Sequence, residues 1–95
     1  MANSDAVHIL ENEEQLTQIT LRVKRAHGQM GAVVRMLEEG RSCDEIVTQM
    51  AAVSKAVHTA AFMLISSSLR ECIADPTVES DVVSKKLQKL FLSLA

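Results

Sequence analysis

The sequence holds no Trp and no Tyr, and only two Phe, one Pro and three Gly among its 95 residues. No stretch alternates apolar and polar residues as a half-buried strand does, no Gly-rich phosphate loop is present, and no segment repeats. An all-α chain is what remains. There is no paired acid–base constellation, and a helical bundle with two Phe offers no evident substrate pocket, so the chain reads as a non-enzyme. Neither a signal peptide nor an apolar run of transmembrane length is apparent, which predicts a soluble, cytoplasmic protein with no membrane partner. Two cysteines in a reducing compartment point to redox or metal chemistry before a structural disulfide.

Hydrophobic residues nevertheless make up 47% of the chain, drawn mostly from Val, Leu, Ile, Ala and Met. Residues 1–95 are expected to form one domain, near the lower size limit for a self-sufficient core. Long helices carrying apolar stripes need a partner surface, so an obligate oligomer is predicted. The net charge of −2 gives no general attraction to nucleic acid. Its distribution says more: residues 1–14 sum to −4 and residues 15–37 to +4, which leaves room for a local basic surface.

The stretch from Ser42 to Ala74 contains no Gly and no Pro. Ser42 and Glu45 have the S-x-x-E form of a capping box, and Pro76 is the next breaker, so one helix of about thirty residues is predicted. At roughly 100° per residue, Cys43, Val47, Met50, Ser54, Val57, Ala61, Ile65, Ser68 and Cys72 fall on one stripe. Ile46, Val53, Ala60 and Leu64 widen it on one side. The two cysteines share a face, yet a rise of about 1.5 Å per residue separates them by roughly 43 Å. A disulfide needs Cα atoms within about 7 Å. A second copy running antiparallel sets Cys43 of one chain beside Cys72 of the other, and twofold symmetry repeats the pair. The alternative is two unrelated cysteines that merely pack.

Residues 1–10 show no clear period and are expected to form a mobile arm, with His8 either solvated or a ligand that swings onto a metal site. A first helix is predicted from about Glu11 to Glu39, on the stripe Leu16, Ile19, Val23, Ala26, Met30, Val33 and Leu37. Gly28 and Gly31 each cost about 1 kcal/mol relative to Ala inside it, offset by close approach of another backbone or reflecting a local bend. Gly40 is placed to cap its end. Arg22, Arg25 and Gln29 sit three and four residues apart on the flank, where they either hold phosphates and read base edges or form a solvated face. Lys55 extends such a basic face. His58, about 21–23 Å from either cysteine along the helix, is not expected to be a ligand. Beyond the break at 74–77, a shorter third helix begins near Glu79, with Val83, Leu87, Leu90 and Leu94 inward and Lys85, Lys86 and Lys89 outward, packing across a partner protomer.

The helix dipole and Arg41 favour a thiolate at Cys43, in the first turn of the long helix, whereas Cys72 sits at the end that disfavours negative charge. That asymmetry suits attack by Cys43 on an oxidised sulfur species, with Cys72 resolving the product. Metal binding is the competitor. Two thiolates suit soft Cu(I), whereas Zn(II) normally takes four ligands and Ni(II) or Co(II) prefers imidazole. The natural third position, four residues before Cys72, holds Ser68, a poor donor to soft metals. No cofactor is therefore expected, with Cu(I) held by Cys43 and Cys72 as the alternative.

The run LRVKRAHGQMGAVVRMLEEGRSCDEIVTQMAAV, followed by LREC, strongly resembles the bacterial copper-sensing repressor (CsoR/RcnR/FrmR) family. The resemblance extends from Leu16 onward and is carried by Gly28, Gln29 and Gly31, by Arg35 to Gly40, by Cys43, and by Thr48 and Gln49. It implies three-helix protomers paired as antiparallel four-helix-bundle dimers and assembled as a dimer of dimers. It further implies operator DNA as partner, bound without a helix-turn-helix and released when an inducer reaches the cysteines. The copper branch has Cys, His and Cys at positions 43, 68 and 72, so Ser68 argues against copper and against the nickel/cobalt branch. Formaldehyde sensors pair the first cysteine with a proline at position 2, where this chain has Ala2.

Both cysteines without the histidine is the pattern of the persulfide-sensing, CstR-like branch. There a hydropersulfide or polysulfide links the cysteines across the dimer by a di-, tri- or tetrasulfide, releasing DNA and turning on sulfide-detoxification genes. The resemblance places Arg22 and Arg25 on the operator-binding face, and Lys55 lies beside Ser54, where many relatives have arginine. The expected function is a homotetrameric repressor sensing reactive sulfur species. A Cu(I)- or other metal-sensing repressor using the same cysteines is the alternative, and a helical scaffold or thiol carrier that never binds DNA is the reading from another class.

Overall fold

Asn12 starts the first helix. Its backbone is extended (φ −66°, ψ 106°) and its Oδ1 accepts the Gln15 N–H at 2.9 Å, satisfying one of the donors a helix start leaves unpaired. Glu13 and Glu14 in the first turn and Arg35 in the last complement the helix dipole. The end is set by Gly40 at φ +70°, the one positive-φ residue among those described. Its N–H donates to Leu37 O at 3.3 Å and that of Arg41 to Met36 O at 3.0 Å, the two bonds of a Schellman turn. The computed structural model describes residues 7–75 and 77–94. Among these, three helices and no strand are present: α1 (Glu13–Glu38), α2 (Cys43–Ala74) and α3 (Val78–Leu94).

Ser42 is the N-cap of α2 as expected, but without the predicted capping box. The Ser42 side chain makes no cap hydrogen bond, and the Glu45 side chain, instead of reaching back to the cap, pairs with Arg41, Oε2 to Nη2 at 2.6 Å. Thr48 and Thr59 return their hydroxyls to the carbonyls of Asp44 and Lys55, at 2.7 and 2.9 Å, so these polar side chains are satisfied within the helix. Asp75 and Thr77 then launch α3. Thr77 Oγ1 accepts the Ser80 N–H at 3.1 Å, and the Asp75 carboxylate accepts Thr77 N–H at 3.3 Å and Ser80 Oγ–H at 2.9 Å. Pro76, the expected breaker, lies outside the described residues.

α1 and α3 both pack on α2 and not on each other. The face of α2 that meets α1 is the flank expected only to widen the cysteine stripe. Ile46 and Val53 pack with Val33 and Met36, and Ala60 packs with Ile19, Leu10 and Met63. Toward α3, Phe62 and Phe91 stack tilted with ring centroids 5.1 Å apart, and Ile65, Cys72 and Val83 are buried. α2 is long and apolar enough to cross a membrane by length and composition alone, contrary to expectation. It is apolar on more than one side because it serves two neighbours.

The N-terminal half of the cysteine stripe stays uncovered, with Val47, Met50 and Val57 exposed. α1 likewise exposes Leu21, Val23, Met30, Val34 and Leu37. The protomer measures 53 × 27 × 19 Å with a radius of gyration of 17.1 Å, against about 12 Å for a compact chain of this length. Its accessible surface is 6954 Å², some 1,500 Å² more than the roughly 5,400 Å² of a folded monomer of this mass. Large apolar side chains on both α1 and α2 form part of that exposed surface.

The space beside the helical glycines is open within the chain, and the N-terminal segment departs from expectation. A Cβ added at Gly28 would meet nothing within 4 Å, and one at Gly31 only an Arg35 guanidinium nitrogen at 3.7 Å. Among the described residues of one chain no second backbone approaches these glycines, and α1 runs through both unbroken. The arm, from Val7 onward, is docked, with Leu10 buried beside Ile19 and Ala60. The earlier part of the expected arm, residues 1–6 and with them Ala2, lies outside the described residues.

Candidate functional site

Cys43 occupies the first position of α2 and is exposed; Cys72 lies in its last turn and is 4% exposed. Because α2 is continuous, the sulfur-bearing positions remain roughly 43 Å apart along its axis. One chain does not bring them together. Arg41, expected to favour a Cys43 thiolate, is engaged by two carboxylates, Glu45 at 2.6 Å and Glu39 at 4.0 Å, which offset its charge.

Cys72 sits in a cavity of about 300 Å³ lined also by Ile73, Asp75, Thr77, Asp81 and Ser84. Burial pushes its thiol up from the ordinary value; a hydrogen bond with Ser84 opposes this, and the charges of Asp75 and Glu71 add to it. Cys72 therefore holds its proton and is poorly suited to attack first. One helical turn before it, Ser68 is 5% exposed and offers only a hydroxyl. Among the described residues no three His, Cys, Asp or Glu side chains converge as a metal site. His58 gives its Nδ1 to Ser54 O at 2.9 Å, in the middle of α2 and away from both cysteines.

Next to Cys72, Glu71 organises the N-terminal segment. Its Oε1 contacts His8 Nε2 at 2.9 Å and accepts Glu11 N–H at 3.0 Å, while Oε2 accepts Asn12 N–H at 2.8 Å. His8 is thus neither a solvated tail histidine nor a free ligand. These bonds, the Glu11 N–H foremost, hold the Glu71 carboxyl below its ordinary value against the opposing effect of desolvation. Sequence reasoning missed Glu71, because a bond spanning 60 residues leaves no local pattern.

On the seam between α1 and α2, Arg22, Arg25 and Gln29 line one cavity of about 160 Å³ with Ala56 and Thr59. The three candidate side chains of α1 are therefore brought together. Gln29 Oε1 is buried with no hydrogen-bond partner among the described residues. Lys55 is exposed and adjoins this cavity in sequence through Ala56 without lining it. Ion pairs among the described residues engage Arg41, Lys85 and His8, and not Arg22, Arg25 or Lys55.

Residues 15–93 match the family described as metal-sensitive transcriptional repressor. The chain is 32% identical over 71 residues to the copper-sensing transcriptional repressor CsoR of Bacillus subtilis (strain 168), covering 75% of this chain and 70% of that protein. It is 30% identical over 66 residues to the copper-sensing transcriptional repressor RicR of Mycobacterium tuberculosis, covering 70% and 69% respectively. The uncharacterized protein YrkD of Bacillus subtilis is 38% identical over 40 residues, 42% of this chain and 64% of that one. No solved structure gives a significant match.

Proposed function

The chain belongs to the metal-sensitive transcriptional repressor family, and from that premise we propose that it is a cytoplasmic, operator-binding repressor that senses reactive sulfur species through Cys43 and the partner's Cys72. The family is one of regulators and not of enzymes. The observation that carries the choice of inducer is Ser68. It stands one turn before Cys72, buried, where a soft-metal site would need a third donor. Each end of an antiparallel dimer then offers two sulfurs and a hydroxyl. The surplus apolar surface of the protomer supports the dimer, and a dimer of dimers is the assembly we assign to it. Arg22, Arg25 and Gln29 form the operator face, with Lys55 at its rim.

The chemistry balances without an outside oxidant. Cys43 attacks the sulfane sulfur of an organic persulfide, takes up that sulfur and releases the thiol. The partner's Cys72 then attacks the Cys43 sulfur, expels hydrosulfide and closes a disulfide. A longer polysulfide donor leaves a sulfur in the bridge and expels a thiol instead. The raised Cys72 thiol fits the second, resolving role. Crosslinking at both ends of the dimer constrains α2, and DNA is released. The test is operator binding by gel shift with and without a persulfide donor. Wild type should release DNA, and Cys43→Ser and Cys72→Ser should each stay bound; release by both single variants contradicts the pair.

A second reading is favoured by a specific observation, since both characterised relatives named above are copper-sensing repressors. Two thiolates contributed by two protomers suit Cu(I). Cu(I) titration of the reduced protein against a chelator of known affinity separates the readings, because tight stoichiometric binding belongs to the copper sensor alone.

A further inference from the structure

Three cavities along the α1–α2 seam share lining residues and make one groove. Thr59 lines both the Arg22–Arg25–Gln29 cavity and a larger one of about 400 Å³. Gln15, Ser67 and Arg70 line that larger cavity and a third of about 200 Å³ that ends at Glu71. On α1 the wall is Gln15, Gln18, Arg22, Arg25 and Gln29, spaced by threes and fours along a single stripe. The facing α2 wall carries Thr59, Ser66, Ser67 and Arg70, with Phe62 and Met63 as its apolar floor.

The charge in this groove is mostly of one sign, with three arginines against one carboxylate. Two stretches of it, around Arg22 and Arg25 and around Gln15 and Gln18, are lined by no Asp or Glu, and the one acid, Glu71, stands beside Arg70 in the third cavity. The acid at the far end, Glu71, already accepts two backbone N–H groups and faces His8. Arg70 is exposed and takes part in no ion pair among the described residues. Gln, Ser and Thr between guanidinium groups make up the side-chain set that binds a sugar–phosphate backbone. Along the axis Arg22 lies about 4.5 Å from Arg25, and the Gln15–Gln18 level that Arg70 shares lies about 6–10 Å beyond Arg22. These separations span a few steps of a strand rising about 3.4 Å per phosphate. A second copy of the chain fits poorly here, since a twofold contact would set arginines against arginines.

We propose that Arg70, assisted by Gln15 and Gln18, binds the DNA phosphate backbone and extends the operator face to within two residues of Cys72. This rests on the operator-binding reading given above. It also places a phosphate contact and a sensing thiol on one turn of one helix, on different faces, so a covalent link that displaces the end of α2 moves a group that holds DNA.

The test is fluorescence anisotropy on a duplex selected from random sequence by the wild-type tetramer, over a range of salt concentrations. Wild type, Arg22→Gln, Arg70→Gln and Arg70→Lys are compared, with assembly followed by sedimentation. Arg70→Gln should bind about tenfold more weakly. Its log K against log salt slope should be shallower by about 0.9 for each Arg70 that meets a phosphate. Arg70→Lys should keep most of the slope. An unchanged slope in Arg70→Gln beside a shallower one in Arg22→Gln overturns the role of Arg70 and leaves the repressor standing. Dissociation of the Arg70→Gln tetramer assigns Arg70 to a subunit contact and also overturns it. Wild type with no salt-dependent binding removes the operator-binding reading and this inference together.

Discussion

His8 Nε2 lies 2.9 Å from Glu71 Oε1, and through that contact the segment leading into α1 is fastened beside the buried thiol of Cys72. The same carboxylate takes the backbone N–H groups of Glu11 and Asn12 at 3.0 and 2.8 Å. Leu10 is buried against Ile19 and Ala60 beneath it. The end of α2 and the start of α1 are therefore joined directly.

Glu71→Gln should lower the Tm by a few degrees at pH 7. The Glu71 carboxyl is held below its ordinary value of 4.5, so its contribution is present above that value and is lost as pH falls through the lowered one. The difference between variant and wild type should thus narrow in acid. Melts at fixed protomer concentration, with hydrogen exchange at the Glu11 and Asn12 amides, check this; an equal difference at pH 7 and in strong acid contradicts it.

Cys72 should alkylate on the order of tenfold or more slowly than Cys43, since it is buried and its thiol is pushed above the ordinary value of 9.0. Peptide mass mapping after timed iodoacetamide treatment reads both rates from one sample. Faster labelling of Cys72 would reverse the assigned order of attack and resolution.

Gly40→Ala and Gly28→Ala should part company. Gly40 sits at φ +70° in the turn that ends α1, and a Cβ there costs about 1–2 kcal/mol. Gly28 is helical with open space around it, so Ala should be neutral or stabilise by up to about 1 kcal/mol. Urea unfolding of the two variants decides the matter, and a loss at Gly28 as large as at Gly40 would show that another backbone lies against α1.

Ser68→His tests the donor argument directly. An imidazole one turn before Cys72 should raise Cu(I) affinity at least about tenfold over wild type, as a third soft or borderline donor joins two thiolates. Competition with a Cu(I) chelator measures it. Equal affinity in both proteins would mean that position 68 does not face the metal.

Much of this architecture is legible in the residues. Gly40 ends α1, the run without Gly or Pro becomes α2, and the position of the cysteines on one long helix already forbids their meeting within a chain. The face of α2 that receives α1 was harder to read. Ile46, Val53 and Ala60 lie beside the cysteine stripe at the same helical spacing, and periodicity alone does not rank two adjacent apolar faces. The unformed capping box has a similar cause, because Glu45 reaches Arg41 as readily as it reaches back to the cap. In the groove, Arg22, Arg25 and Gln29 were visible as a local stripe on α1. Arg70 and Glu71 join that neighbourhood only when the hairpin closes.

The most direct measurement is intact mass spectrometry, under denaturing and non-reducing conditions, of reduced protein treated with an organic persulfide. An equal mixture of isotopically labelled and unlabelled chains identifies links between chains. The account predicts mixed-isotope covalent dimers joined from a Cys43 peptide to a Cys72 peptide, with or without retained sulfur. Reduced chains that take up Cu(I) stoichiometrically and form no such dimer would contradict it.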